Sequence, residues 1–198
     1  RDVAAGGQGA PLVPAFHHAW LHQPGQDRAV LNLGGIANLS LIPASGPVLG
    51  FDCGPANTLM DRWCERHTGQ WFDENGQWAA TGQPDLRLVD QWLKHPFFSR
   101  PIPKSTGLDD FHLDWLDAQL KQFGKSLAAQ DVQASLLELT VRSVALELGR
   151  HAPETRHLVV CGGGALNAHL MTRLAQVLPQ VQVEDSGVWG LPVLQVEA

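Results

Sequence analysis

Val48-Leu49-Gly50-Phe51-Asp52-Cys53-Gly54-Pro55-Ala56-Asn57-Thr58-Leu59-Met60-Asp61 reads as a strand, a turn and the start of a helix. The apolar run from Val48 to Phe51 predicts a short strand over 48–52 that delivers Asp52 at its end. Gly54 and Pro55 then turn the chain, and Pro55 suits a first helical turn, where a missing N–H costs nothing. A helix over 55–67 follows from the pattern. Leu59, Met60, Trp63 and Cys64 share one face, while Asp61, Glu65 and Arg66 share the other. Gly69 is its natural stop. The positive end of this helix would lie beside the Asp52 carboxylate. Two readings of Asp52 stay open on this stretch: a general base presented rigidly at a strand end, or a simple helix cap.

Two glycine motifs flank this unit. Residues 28–33 and 38–43 read as strands around Gly34-Gly35, a hairpin whose bare backbone N–H groups would let a phosphate approach closely. Leu158-Val159-Val160-Cys161-Gly162-Gly163-Gly164-Ala165-Leu166-Asn167 reads as a buried strand, three glycines and a helix over 165–178. It is neither the G-x-x-x-x-G-K-[ST] loop nor the G-x-G-x-x-G fingerprint, yet it leaves room for a ligand against backbone. Between these motifs, residues 70–110 are rich in Gly, Pro and Asp, with a short helix near 85–94; a second helix is expected over 112–123. Asp131 is the expected N-cap of a long helix reaching about residue 150, with Val132, Leu136, Leu139, Val144 and Leu148 as its buried stripe. A short strand at 181–184 completes the order β-β-β-α-α-β-α-β.

Composition narrows the function classes. The chain has 198 residues, 44% of them apolar, enough for one core. The net charge of −6 is interspersed, which argues against a nucleic-acid partner. No run approaches the ~18 apolar residues of a membrane span. Cys53, Cys64 and Cys161 are widely spaced, which points to reduced thiols in a cytoplasmic protein and away from a zinc site. His17, His18 and His22 lack the spacing of metal ligands on a helix. Trp71, Trp78, Trp92 and Trp115 are irregularly spaced and read as packing residues. Pro101-Ile102-Pro103-Lys104-Ser105-Thr106-Gly107 sets a Lys beside two hydroxyls in a stiff loop, which suits either an anion or sugar contact or an ordinary surface turn.

Taken together, these motifs resemble the anhydro-N-acetylmuramic acid kinases of bacterial cell-wall recycling, within the sugar kinase, Hsp70 and actin superfamily. The resemblance runs through Arg1–Pro14, Leu33–Asn38, Phe51–Asp61, Pro103–Gly107 and Cys161–Asn167. It implies an α/β fold, a ribonuclease H-like lobe with a mixed sheet flanked by helices. Residues 1–27 would be a substrate-side loop and connecting segment, and 28–198 the C-terminal lobe, with an insertion at about 70–125. Family members open with a glycine- and Ser/Thr-rich phosphate loop that is not in this sequence. The resemblance therefore implies one lobe of a two-lobed enzyme, inactive alone and homodimeric at full length.

The resemblance also implies a reaction. ATP is the co-substrate, with Mg²⁺ carried on its phosphates, and the amino sugar is 1,6-anhydro-N-acetylmuramic acid. Asp52 would activate water for opening of the anhydro bond, and O6 would be phosphorylated. Gly34, Gly35, Asn38, Gly162, Gly163, Gly164 and Asn167 would face the nucleotide. Gly7, Gln8, Gly9, Pro11, Asn57, Thr58, Lys104 and Glu197 would face the sugar. Two rival readings are another sugar or carboxylate kinase of the superfamily and a non-enzymatic nucleotide-binding module.

Overall fold

A computed structural model describes residues 20–21 and 25–195 of the chain. Three strands open it in sequence: β1 (Arg28–Leu33), β2 (Ile36–Ile42) and β3 (Leu49–Pro55). Helix α1 (Asn57–Thr68) leaves directly from β3. Residues 70–125 carry 3-10 turns and the helices α2 (Leu86–Trp92) and α3 (Leu113–Phe123). The long helix α4 (Ala129–His151) then returns to the sheet. Strand β4 (His157–Cys161), helix α5 (Ala168–Val177) and strand β5 (Gln182–Asp185) finish the fold.

The strands form one sheet in the order β3-β2-β1-β4-β5. β1 pairs antiparallel with β2 and parallel with β4, and β4 pairs parallel with β5. A meander followed by parallel crossovers through helices is the ribonuclease H-like arrangement, so the sheet is mixed and carries helices as expected.

Strand alternation sorts the side chains. Ala29, Leu31, Leu33, Ala37, Leu39, Phe51, Leu158 and Val160 face one side and build the larger core with α1, α4 and α5. Each fully buried Leu here contributes about 1.5–3 kcal/mol. Val30, Ile42, Val159 and Cys161 face the other side, with Leu21. Trp92, Phe97, Phe98 and Phe111 are buried in the larger core, and Trp115 packs edge-on against Phe111 at 5.1 Å. Trp71 remains 79% exposed.

Three boundaries differ from the sequence expectation. Pro55 is not the first residue of a helix; it ends β3 opposite Ile36, and Ala56 is the cap of α1. The strand runs past Asp52 because the Gly34-Gly35 turn extends β2 alongside it. Asp131 is not the cap of α4, which begins at Ala129. Its carboxylate instead accepts from the Gln83 N–H at 2.8 Å, tying the helix to the inserted segment. Finally, Gly163–Leu166 form a 3-10 turn, and α5 starts only at Ala168 with Asn167 as its cap. The stripe foreseen on α4 is buried, but so are Gln133, Glu138, Thr140 and Glu147, because α4 lies between the sheet and the inserted helices.

Candidate active site

Strand register sets a row of side chains across the sheet. Cys161 pairs with Asn32, Asn32 with Asn38, and Asn38 with Asp52. Alternation puts all four on the face opposite α4. Between Ala37 and Asn38 the pairing of β2 with β3 shifts, so Cys53 is an extra residue, a β-bulge.

Asp52 is therefore held from three directions. Its Oδ1 accepts from Asn38 Nδ2 at 2.9 Å, and its Oδ2 accepts from the Thr106 N–H at 2.9 Å. Its own N–H donates to the Lys104 carbonyl at 2.9 Å. The helix-cap reading of Asp52 fails: its carboxylate accepts from Asn38 and Thr106, and no side chain caps α1. The N–H groups of Ala56 and Thr58 donate to the Gly35 carbonyl at 3.0 and 3.1 Å, and that of Asn57 donates to the Gly34 carbonyl at 3.1 Å. The hairpin turn closes the positive end of α1. A carboxylate has about four acceptor sites, so one protein donor on each oxygen leaves capacity for a water.

Lys104 is corrected. Its ammonium is not offered to a sugar but turned inward, with the side chain 2% exposed. It donates to Glu147 Oε1 at 2.9 Å and to the Phe97 and Phe98 carbonyls at 3.4 Å. The rest of its loop is anchored by the Thr106 hydroxyl, which donates to Asp110 Oδ2 at 2.7 Å, and by Arg100 on the same carboxylate. The Thr106 hydrogen bond, followed by Arg100, holds the Asp110 carboxyl below its usual range.

The glycine motifs meet beside this row. Gly162 has φ of +80°, and a Cβ there would strike the Asn32 side chain and the Leu33 backbone. A Cβ on Gly35 would strike the Thr58 hydroxyl. Asn57 Nδ2 donates to the Leu33 carbonyl at 2.9 Å and lies against Gly163. Asn57 and Thr58 thus join Gly34, Gly35, Gly162, Gly163 and Gly164 in one cluster. Asn167 stands at its edge, its Oδ1 accepting from the Leu170 N–H at 3.0 Å and lying against Gly76. Gly7, Gln8, Gly9, Pro11 and Glu197 lie outside the described residues.

The sequence reading missed Asn32 and Thr106. Asn32 stands two residues after the buried Val30 and so shares its face of the sheet, the face that carries Asp52. Thr106 stands out in the sequence only as one of the two hydroxyls beside Lys104, and its backbone bond to Asp52, which spans 54 positions of chain, gives no local signal. Cys53, next to Asp52, is fully buried; burial, with the Glu147 carboxylate adding to it, pushes its thiol well up. Among the described residues no three His, Cys, Asp or Glu side chains gather to hold a metal ion. No helix among them is long and apolar enough to cross a membrane.

Two solved structures share the fold. The activator of the 2-hydroxyisocaproyl-CoA dehydratase from Clostridium difficile, solved with bound ADPNP, has a TM-score of 0.53 at 13% identity, covering 87% of this chain and 57% of its own. Component A of the (R)-2-hydroxyglutaryl-CoA dehydratase of Acidaminococcus fermentans has a TM-score of 0.52 at 15% identity, covering 89% and 61%. Sequence relatives say more. An anhydro-N-acetylmuramic acid kinase of Xanthomonas oryzae pv. oryzae is 57% identical over all of this chain and 52% of its own length. Those of Xylella fastidiosa and Cupriavidus metallidurans are 56% and 51% identical, again over all of this chain and 51% and 53% of theirs. The chain spans about half the length of the curated relatives it matches. The family profile described as anhydro-N-acetylmuramic acid kinase matches residues 1–198, and the chain belongs to that family.

Proposed function

We propose that the whole protein carrying this lobe is an ATP-dependent kinase that opens 1,6-anhydro-N-acetylmuramic acid and phosphorylates O6. The carrying observation is the Asp52 carboxylate, clamped by Asn38 and Thr106 beside the joined glycine turns. Asp52 takes a proton from a water whose oxygen bonds to the anomeric carbon. The bond from that carbon to O6 breaks, and O6 takes the γ-phosphoryl group as its bond to the β-phosphate oxygen breaks. The products are N-acetylmuramate 6-phosphate and ADP, and the proton on Asp52 returns to solvent. Mg²⁺ would come with ATP, carried on its phosphates, and would supply charge neutralisation there. The cluster of Gly34, Gly35 and Gly162–Gly164 receives the nucleotide, because backbone without side chains lets phosphates lie close. The curated relatives are about twice the length of this chain, and the 198-residue chain on its own does not turn over. The whole enzyme works in the cytoplasm as a homodimer.

The test is ADP release by the whole protein with ATP, Mg²⁺ and the anhydro sugar, beside Asp52→Asn. Sugar-dependent release that falls by about 1,000-fold or more in the variant supports both substrate and base, given the 10²–10⁴ that a general base contributes. Turnover unchanged in Asp52→Asn refutes the base. Absence of sugar-dependent release refutes the substrate.

A further inference from the structure

The Lys104–Glu147 pair is fully buried, with side-chain exposures of 2% and 0%. A buried pair of this kind commonly gives no net stability over well-packed apolar residues. Its position suggests another use. Lys104 touches Asp52 through its backbone and Glu147 through its side chain. Two residues further on, the Thr106 N–H reaches Asp52 Oδ2. The loop is thus tied to Glu147 through the Lys104 ammonium and to Asp52 through the Lys104 carbonyl and the Thr106 N–H, with Asp110 as a further anchor. Glu147 itself is buried one turn before the C-terminal end of α4, the most deeply packed helix. Arg150 and His151, one turn further on, approach the same carboxylate at 3.7 and 3.4 Å.

We infer that Glu147 is a positioning residue for Asp52, acting through Lys104, and that the pair fixes the direction in which the carboxylate meets its water. This rests on Asp52 being the base. Glu147 touches no ligand in this scheme; it sets where the loop lies. An active-site displacement of about 1 Å costs on the order of 100-fold in rate. Loss of the pair should therefore appear in kcat, while the glycine cluster that receives the nucleotide is left in place.

The experiment compares the whole protein with the double variant Lys104→Met/Glu147→Leu, which removes both charges together and leaves neither unpaired. Far-ultraviolet circular dichroism and a melting curve establish folding. The expected result is a kcat lower by about 10- to 100-fold, with KM for ATP and for the sugar unchanged. A folded double variant with wild-type kcat overturns the inference, as does a loss confined to KM. If the double variant does not fold, Lys104→Arg keeps the charge but sets a longer, planar head on Glu147. The same kcat-only loss is expected there, and wild-type kcat in that variant overturns the inference. Asp52→Asn run alongside separates the two claims. Retained turnover there sinks the base assignment itself, whereas lost turnover there with normal kcat in the pair variants sinks only the positioning role.

Discussion

Asn38 Nδ2 donates to Asp52 Oδ1 at 2.9 Å from the directly opposite position on the neighbouring strand. The contact follows from register and from the bulge at Cys53, so it needs no flexible reach. It turns an asparagine expected on the nucleotide into a support for the carboxylate. Replacing Asn38 by Ala removes that donor without disturbing the strand. The expected outcome in the whole protein is a kcat lower by about 10- to 100-fold, with a melting temperature close to wild type. Steady-state kinetics beside a thermal scan checks it, and an unaltered kcat would show that Thr106 alone suffices.

Within the triple glycine, the three positions are not equivalent. Gly162 has φ of +80° and no room for a Cβ, whereas at Gly163 a Cβ would meet only Asn57 Nδ2, at 3.7 Å. Gly162→Ala should destabilise the fold by about 1–3 kcal/mol, and Gly163→Ala by much less. Urea titrations of the two variants read the difference directly; equal midpoints would contradict the assigned geometry.

Asp61, on α1, carries a carboxyl pushed up to about 6 from 3.8, first by burial and then, against the pull of Arg62, by the Asp73 carboxylate. The folded protein binds this proton more tightly than the unfolded chain. Stability is therefore lost as pH rises from 3.8 to about 6, and the penalty is complete above that window. Asp61→Asn should raise the melting temperature at about pH 8 and bring no gain below pH 3.8. Melting curves at the two pH values decide it, and a gain of equal size at both would rule out the ionisation as its cause.

Much of the fold was legible because its elements carry local signals. The apolar run of β1, the apolar face of α1 and the run before Gly162 each specify an element from residues close in sequence. The boundaries that slipped were set at a distance. Pro55 looked like a helix start until β2 paired with it, and Asp131 looked like a cap until Gln83 claimed its carboxylate. The site divides in the same way. Asp52 and the glycines could be picked out from their motifs. That Lys104 and Thr106 hold Asp52 could not, because both arrive from within the inserted segment, distant in sequence from β3. Lys104 misled for a related reason: a lysine in a proline-stiffened loop beside two hydroxyls reads as exposed, and only its distant carboxylate Glu147 explains its burial.

The bulge at Cys53 makes chain length itself a determinant of the site. Helix α1 is pinned at its first residues to the carbonyls of Gly34 and Gly35, so it cannot slide along the strand. Count back from that fixed point, and the extra residue is what brings a carboxylate, rather than a core side chain, to the open face. Deleting Cys53 would carry Asp52 one step forward, into the place of a thiol that is fully buried. The carboxylate would then point at α4 instead of Asn38. Variation in this segment is thus constrained twice, once in what the residues are and once in how many there are. A substitution at Cys53 can be absorbed by the core, but a change of length cannot.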